Sequence, residues 1–201
     1  NFMEFEEPSE LIKAVKDLLS GKTPPKDLII RKHSPLVYIV SNALVLDHYH
    51  AIFIPRVENG IPKYLQKLHT GFAMYYNLKY KHKGNLFNRP YKIIPIQTNF
   101  QLDAVLRYVN IKNPLDVYQP GWRKNGLKDK KEALQFLNNY PFSSFPDIFS
   151  KRGSKILAPL PILEKYLGKE ITENKEEFSK FIEDFLSENL VQYNPLFLEE
   201  D

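Results

Sequence analysis

Two histidines one residue apart, His48 and His50, sit in the apolar-flanked stretch Leu44-Val45-Leu46-Asp47-His48-Tyr49-His50-Ala51-Ile52-Phe53-Ile54. Alternate side chains of a strand share a face, so both imidazoles project together, roughly 6–7 Å apart, with Tyr49 opposite. Such a pair can grip one divalent ion; the same pair also suits the half-solvated face of a hairpin that binds nothing. A second reactive group is Tyr108, which follows the apolar stripe Leu102, Val105, Leu106 and Val109. At 100° per residue it lies about 110° from the centre of that stripe, a flank position that supports the ring while the hydroxyl faces a cleft. As one of 12 tyrosines it can equally be a flanking core residue. Arg107, further round the helix, could meet a phosphate.

A net charge of +4 conceals a strong asymmetry. Residues 61–100 contain no Asp or Glu, against Lys63, Lys67, Lys79, Lys81, Lys83, Arg89 and Lys92. Over residues 170–201 the balance inverts, with ten acids against Lys175 and Lys180. A long positive block points to a polyanion. Tyr64, Phe72, Tyr75, Tyr76, Tyr80, Phe87 and Tyr91 thread through it. Lysines with stackable rings suit single-stranded nucleic acid, whose bases are free to lie on aromatic faces. The alternative is that the rings are core and the lysines merely solvated. Of this run, Arg89, Tyr91 and Lys92 stand either as DNA contacts or as a plain edge strand.

The elements that must position these groups can be read from pattern. A chain of 201 residues, 43% hydrophobic and 26% charged, is long enough for a core and ordinary for a globular protein. It has no cysteine, which excludes disulfides and thiolate metal sites and favours the cytoplasm as compartment. With no long apolar run and no secretory signal, no membrane partner is expected. Since the first residue is Asn1 rather than Met, the natural start is expected to lie upstream.

Pro8-Ser9-Glu10 opens a predicted helix that Gly21 stops. Residues 36–46 and 48–55 predict a hairpin with its turn near Asp47. Gly60-Ile61-Pro62 opens a helix running to about Tyr80 and broken at Gly84. Residues 86–97 predict a further strand or strand pair, at an edge because of Pro90 and Pro95. Thr98-Asn99-Phe100-Gln101 has the form of a capping box for the helix that bears Tyr108, and Asn113-Pro114 is expected to end it. Residues 115–126 predict a loop carrying the only tryptophan, Trp122. Asp129 caps a helix through Tyr140, with Glu132 placed to cap back. Two short helices are expected from residue 151 on, the last with Phe178, Phe181, Ile182 and Phe185 on one face.

Five blocks in this order resemble a known family. His48-Tyr49-His50 resembles the His-hydrophobic-His signature of the HUH nucleases. Gly60-Ile61-Pro62-Lys63-Tyr64-Leu65-Gln66-Lys67-Leu68-His69-Thr70, followed by Tyr75-Tyr76-Asn77, is similar to a helix of the REP-associated tyrosine transposases. Gly84-Asn85-Leu86-Phe87-Asn88-Arg89-Pro90-Tyr91-Lys92 is similar to that family's Gly-His-Leu-Phe-Gln-Gly-Arg-Tyr-Lys block. Arg107-Tyr108-Val109-Asn110-Ile111-Lys112-Asn113-Pro114 resembles its Arg-Tyr-Ile-His-Leu-Asn-Pro block, and Tyr140-Pro141-Phe142-Ser143-Ser144-Phe145 its Tyr-Arg-Trp-Ser-Ser-Tyr. The likeness runs over about residues 36–149.

The resemblance implies an α+β fold, an antiparallel sheet with helices packed on it (HUH or ferredoxin-like). The catalytic domain would span residues 1–149, with an acidic helical extension over 150–201. It implies strand transfer on single-stranded, hairpin-bearing DNA, with Tyr108 as nucleophile and His48, His50 and an asparagine as ligands of Mn²⁺ or Mg²⁺. Mixed nitrogen and oxygen ligation fits Mn²⁺ better. Attack by Tyr108 would leave a 5′-phosphotyrosine link and a free 3′-OH, and reversal onto another 3′-OH would join strands without ATP. Whether subunits pair as a homodimer is left open.

The chain departs from the family in places. The family's asparagine comes four residues after the tyrosine, where Lys112 stands here, and a lysine there would repel an ion. Asn113 comes fifth; on an unbroken helix it would project about 140° from Tyr108, and a loosened turn before Pro114 would bring it back. Val45-Leu46-Asp47 replaces the family's Met-Pro-Asn, making Asp47 an alternative oxygen ligand. The family's first strand, which should precede the opening helix, is missing from this sequence, so either the start is truncated or the sheet is built differently. The alternative expectation is therefore a descendant that holds hairpins without cutting them. A barrel metallohydrolase built on His-x-His needs a longer chain.

Overall fold

The computed structural model describes residues 34–87, 90–150, 152–154 and 156–168, together with Asp17, Ser20, Gly21 and Ile182. The fold is α+β, with a two-stranded antiparallel sheet and several helices. The chain divides into two compact units, one of Asn1–Tyr38 and Ile54–Lys92, the other of Ile39–Phe53 and Ile93–Asp201. The hairpin of β1 (Val37–Leu44) and β2 (Tyr49–Pro55) contributes to both. Val45 N–H donates to the His48 carbonyl at 3.0 Å, closing a tight turn at Leu46-Asp47. That turn sets Ala43 opposite His50 and Ser41 opposite Ile52, all four on one face. Ser41, Ala43 and Ile52 are accordingly buried.

In the first unit, α1 (Gly60–Tyr80) has the predicted limits. Position 60 must be glycine because a Cβ there would fall 2.3 Å from the Leu36 carbonyl oxygen. That same oxygen accepts the Arg56 N–H at 3.0 Å, so the backbone cannot easily retreat. The helix stops at Lys81, whose left-handed φ of 53° breaks the ladder ahead of Gly84. The strand expected over residues 86–97 is not formed: the described residues of that stretch run as coil. Pro90 and Pro95 offer no N–H to a ladder, and residues 91–95 are exposed, so neither face is buried.

In the second unit the free edge of β1 is covered by residues 142–144 rather than by another full strand. Leu44 N–H donates to the Phe142 carbonyl at 2.8 Å, Ser144 N–H to the Asn42 carbonyl at 2.7 Å, and Ala43 pairs with Ser143. Helix α2 (Asn99–Arg107) opens on the predicted capping box, with Gln101 N–H on Thr98 Oγ1 at 3.1 Å and Thr98 N–H on Gln101 Oε1 at 3.2 Å. The helix expected to end at Asn113-Pro114 continues instead through a π turn (Tyr108–Lys112) into α3 (Asn113–Tyr118). Pro114 lacks an N–H and its ring crowds the preceding turn, so the ladder widens there rather than breaking.

The expected loop over residues 115–126 in fact contains α3 and α4 (Trp122–Asn125), joined through Gly121 at φ 81°. Asp129 caps α5 (Lys130–Asn139) through Lys131 N–H at 2.7 Å and Glu132 N–H at 3.0 Å. Glu132 does not cap back; its carboxylate accepts the Tyr118 hydroxyl at 3.1 Å. Helices α6 (Phe145–Phe149) and α7 (Leu160–Leu167) follow. Ile111, Leu115, Trp122, Ala133, Leu137, Phe145 and Ile182 form the core of this unit. The predicted opening helix and the final amphipathic helix lie outside the described residues, save Asp17, Ser20, Gly21 and Ile182. No described helix is long and apolar enough to cross a membrane.

Candidate active site

A buried polar knot fixes the π turn to the hairpin. Asn110 Nδ2 donates to Ser41 Oγ at 2.8 Å and to the Leu106 carbonyl at 3.0 Å, while Ser144 Oγ donates to Asn110 Oδ1 at 2.7 Å. Ser41 and Ser144 share a 3.0 Å hydrogen bond, and Asn42 N–H donates to Ser144 Oγ at 2.9 Å. Every one of these groups is satisfied, so the knot holds one register of helix against strand. The Ser143-Ser144 block thereby acts on β1 and the π turn.

The knot brings the predicted reactive groups into one cluster within the second unit. The His48 and His50 rings meet edge-on with centroids 4.9 Å apart, and the Tyr108 ring meets His50 edge-on at 5.2 Å. Asp47 Oδ1 lies 2.7 Å from His48 Nδ1. That hydrogen bond holds the Asp47 carboxyl below its ordinary pKa. A carboxylate behind one ring nitrogen leaves Nε2 with the lone pair an ion needs. Asp47 thus orients His48 through Oδ1.

Arg123, which nothing in the sequence pattern singled out, completes the cluster. Its guanidinium carbon lies 5.4 Å from the Tyr108 ring centroid. Its Nη2 reaches Asn113 Oδ1 at 3.4 Å, and its Nε donates to Asp116 Oδ1 at 3.1 Å, with a second contact to Asp116 Oδ2. Trp122 Nε1 donates to Asp116 Oδ1 at 2.9 Å and so anchors the carboxylate. The only sequence signal for Arg123 was its place beside the lone tryptophan. The Tyr108 hydroxyl, expected to face a cleft, is buried. The ring on that flank is covered rather than open to a cleft, with His50 edge-on to it and the Arg123 guanidinium beside it.

The π turn also relocates Asn113. Its N–H bonds the Tyr108 carbonyl five residues back, so the two residues share a face that an α-helix would separate by about 140°. Asn113 is 2% exposed, its Oδ1 faces Arg123, and its Nδ2 is buried with no hydrogen-bond partner among the described residues. In this rotamer the orphaned amide offers a donor, which suits a phosphoryl oxygen; half a turn of the carboxamide would present Oδ1 to a cation instead. Lys112 is only 7% exposed. Burial pushes its ammonium pKa down, Arg123 pushes it further, and Asp116 pulls it partly back.

The fit to a divalent ion rests on two imidazoles, with His48 already oriented by Asp47. Among the described residues no group of three or more His, Cys, Asp or Glu is gathered to hold an ion. Of the predicted DNA contacts, Lys63, Lys67, Lys79, Lys81, Lys83, Tyr91 and Lys92 are exposed in the first unit. Arg89 lies outside the described residues. Arg107, in the second unit, is paired with Asp103 at 2.9 Å. Compared with known proteins, the chain matches no family model, no curated protein and no solved structure.

Proposed function

We propose that the second unit is a site for cleavage and strand transfer of single-stranded, hairpin-bearing DNA, with Tyr108 as nucleophile. This follows the REP-associated tyrosine transposases that the sequence resembles, and it reads the hairpin and α2 as part of an HUH-type fold. The observation that carries the proposal is the contact of the Tyr108 ring with His50, itself packed on His48. The Tyr108 oxygen forms a bond to phosphorus, the P–O3′ bond breaks, the phenol loses its proton and the departing 3′ oxygen gains one. The products are a 5′-phosphotyrosine and a free 3′-OH.

A free phenol, with a pKa near 10, is a poor nucleophile at neutral pH, so positive charge must meet the phosphate. Arg123 carries that charge at every working pH. Its ion pair with Asp116 has side chains 32% and 38% exposed, so water reaches both partners and screens their attraction. A phosphate can therefore take the place of Asp116 on the guanidinium fork at small cost. That exchange would also lift the cover from Tyr108. Asn113 Nδ2 would then donate to a phosphoryl oxygen. His48 and His50 would hold a divalent ion, Mn²⁺ before Mg²⁺, which when bound supplies Lewis-acid stabilisation of the phosphate.

End-labelled hairpin DNA with Mn²⁺ tests the proposal on a denaturing gel. A 3′-labelled strand should shift to a covalent protein adduct, a 5′-labelled strand should release a shorter 3′-OH fragment, and Tyr108→Phe should abolish both. The buried hydroxyl and the buried Lys112 favour a second reading, a module that binds hairpins without cutting. Tight binding with no adduct would establish that reading and end the first.

A further inference from the structure

We infer that the first unit carries a base-stacking site for single-stranded nucleic acid, formed by α1 and the segment after it. Phe72, Tyr76 and Tyr80 recur at four-residue spacing and so form one stripe along α1. Neighbouring rings in that stripe lie 6.4 Å and 4.6 Å apart. Phe87 folds back to stack on His69 at 4.1 Å with 27° between planes, and reaches Phe72 at 6.2 Å. Tyr91 stands 6.2 Å from His69. The result is a connected ladder of rings held by one helix.

A ladder that served only as core would be covered. Here Phe72 is 49% exposed, Tyr80 58%, Phe87 37% and Tyr91 42%. Contiguous exposed aromatic surface marks a binding surface. The charge around it selects the occupant. Lys79 lies over the Tyr75 and Tyr80 rings at 5.4 Å and 5.2 Å, and Lys81, Lys83 and Lys92 are exposed close by in sequence. With no acid anywhere in residues 61–100, the surroundings suit a phosphate backbone whose bases lie on the rings. A duplex would keep its bases stacked on one another and out of reach of the ladder.

The inference shares with the proposed function only the class of ligand, and it holds whether or not Tyr108 forms a covalent bond. Its test therefore uses the 201-residue chain carrying Tyr108→Phe, without divalent ions, by fluorescence anisotropy. Oligothymidylate of about 20 nucleotides, an abasic strand of equal length and charge, oligouridylate and a duplex are compared at one salt concentration. The thymidylate strand should bind at least about tenfold tighter than the abasic strand. Phe87→Leu and Tyr80→Leu keep apolar bulk and remove the ring; each should remove at least about fivefold of that affinity while leaving the abasic strand unchanged. Tighter binding of either thymidylate or uridylate than of the abasic strand supports the site, and the ratio of the two gives the preferred kind of strand. Equal affinity for thymidylate and abasic strands, equal affinity for the duplex, or leucine variants that bind thymidylate like the parent would overturn it.

Discussion

His69 shows how one side chain couples packing to pH. Its ring is stacked on Phe87, and burial pushes its pKa below the ordinary 6.5. The unfolded chain then takes up the proton at higher pH than the folded chain does. Stability is therefore full above about pH 6.5, falls as pH drops through the window beneath it, and levels once the folded imidazole is protonated too. The melting temperature should fall between about pH 7 and pH 5 more steeply for the parent than for His69→Phe, read by circular dichroism. Parallel slopes would show that His69 is not the source. At this scale the site was partly legible. A two-residue strand period was enough to put His48 and His50 on one face, but Arg123 gains its place only through two short helices around Gly121, which the sequence presents as loop.

At the scale of elements, Asn110 is the residue that locks a helix to a strand. Asn110→Ala would strip partners from the buried hydroxyls of Ser41 and Ser144. The expected cost is about 2–3 kcal/mol, or roughly 5–10 °C in melting temperature. The adduct yield should fall with it, because the register of Tyr108 against His50 depends on the same bonds; unchanged melting would remove the knot from the account. Helix α1 and the capping box of α2 were legible because both signals are local: a proline in the first turn, where its missing N–H costs nothing, and side chains that answer each other within one turn. The strand over residues 86–97 was misread because Pro90 and Pro95 read only as confining it to an edge, whereas residues 91–95 bury neither face and form no ladder at all. Pro114 was read as a stop, yet the helix absorbs it by widening.

At the scale of the whole molecule, charge and chain path matter more than any single contact. The division into two units was not legible, since each strand of one hairpin belongs to both. The charge asymmetry was legible outright and predicts a measurable salt dependence. If about four lysines meet phosphates, log affinity for a single strand should fall with log salt at a slope of about −3, or roughly 60-fold between 50 and 200 mM. A flat response would mean the lysines are only solvated. A residue taken up inside a widened turn is silent to everything downstream. Deleting Lys112 should close Tyr108–Lys112 to ordinary pitch and leave α3 facing the same way. Deleting Ala104 from α2 should rotate all that follows by about 100° and tear the core from its partners. The first shortened chain should still melt cooperatively, and the second should not.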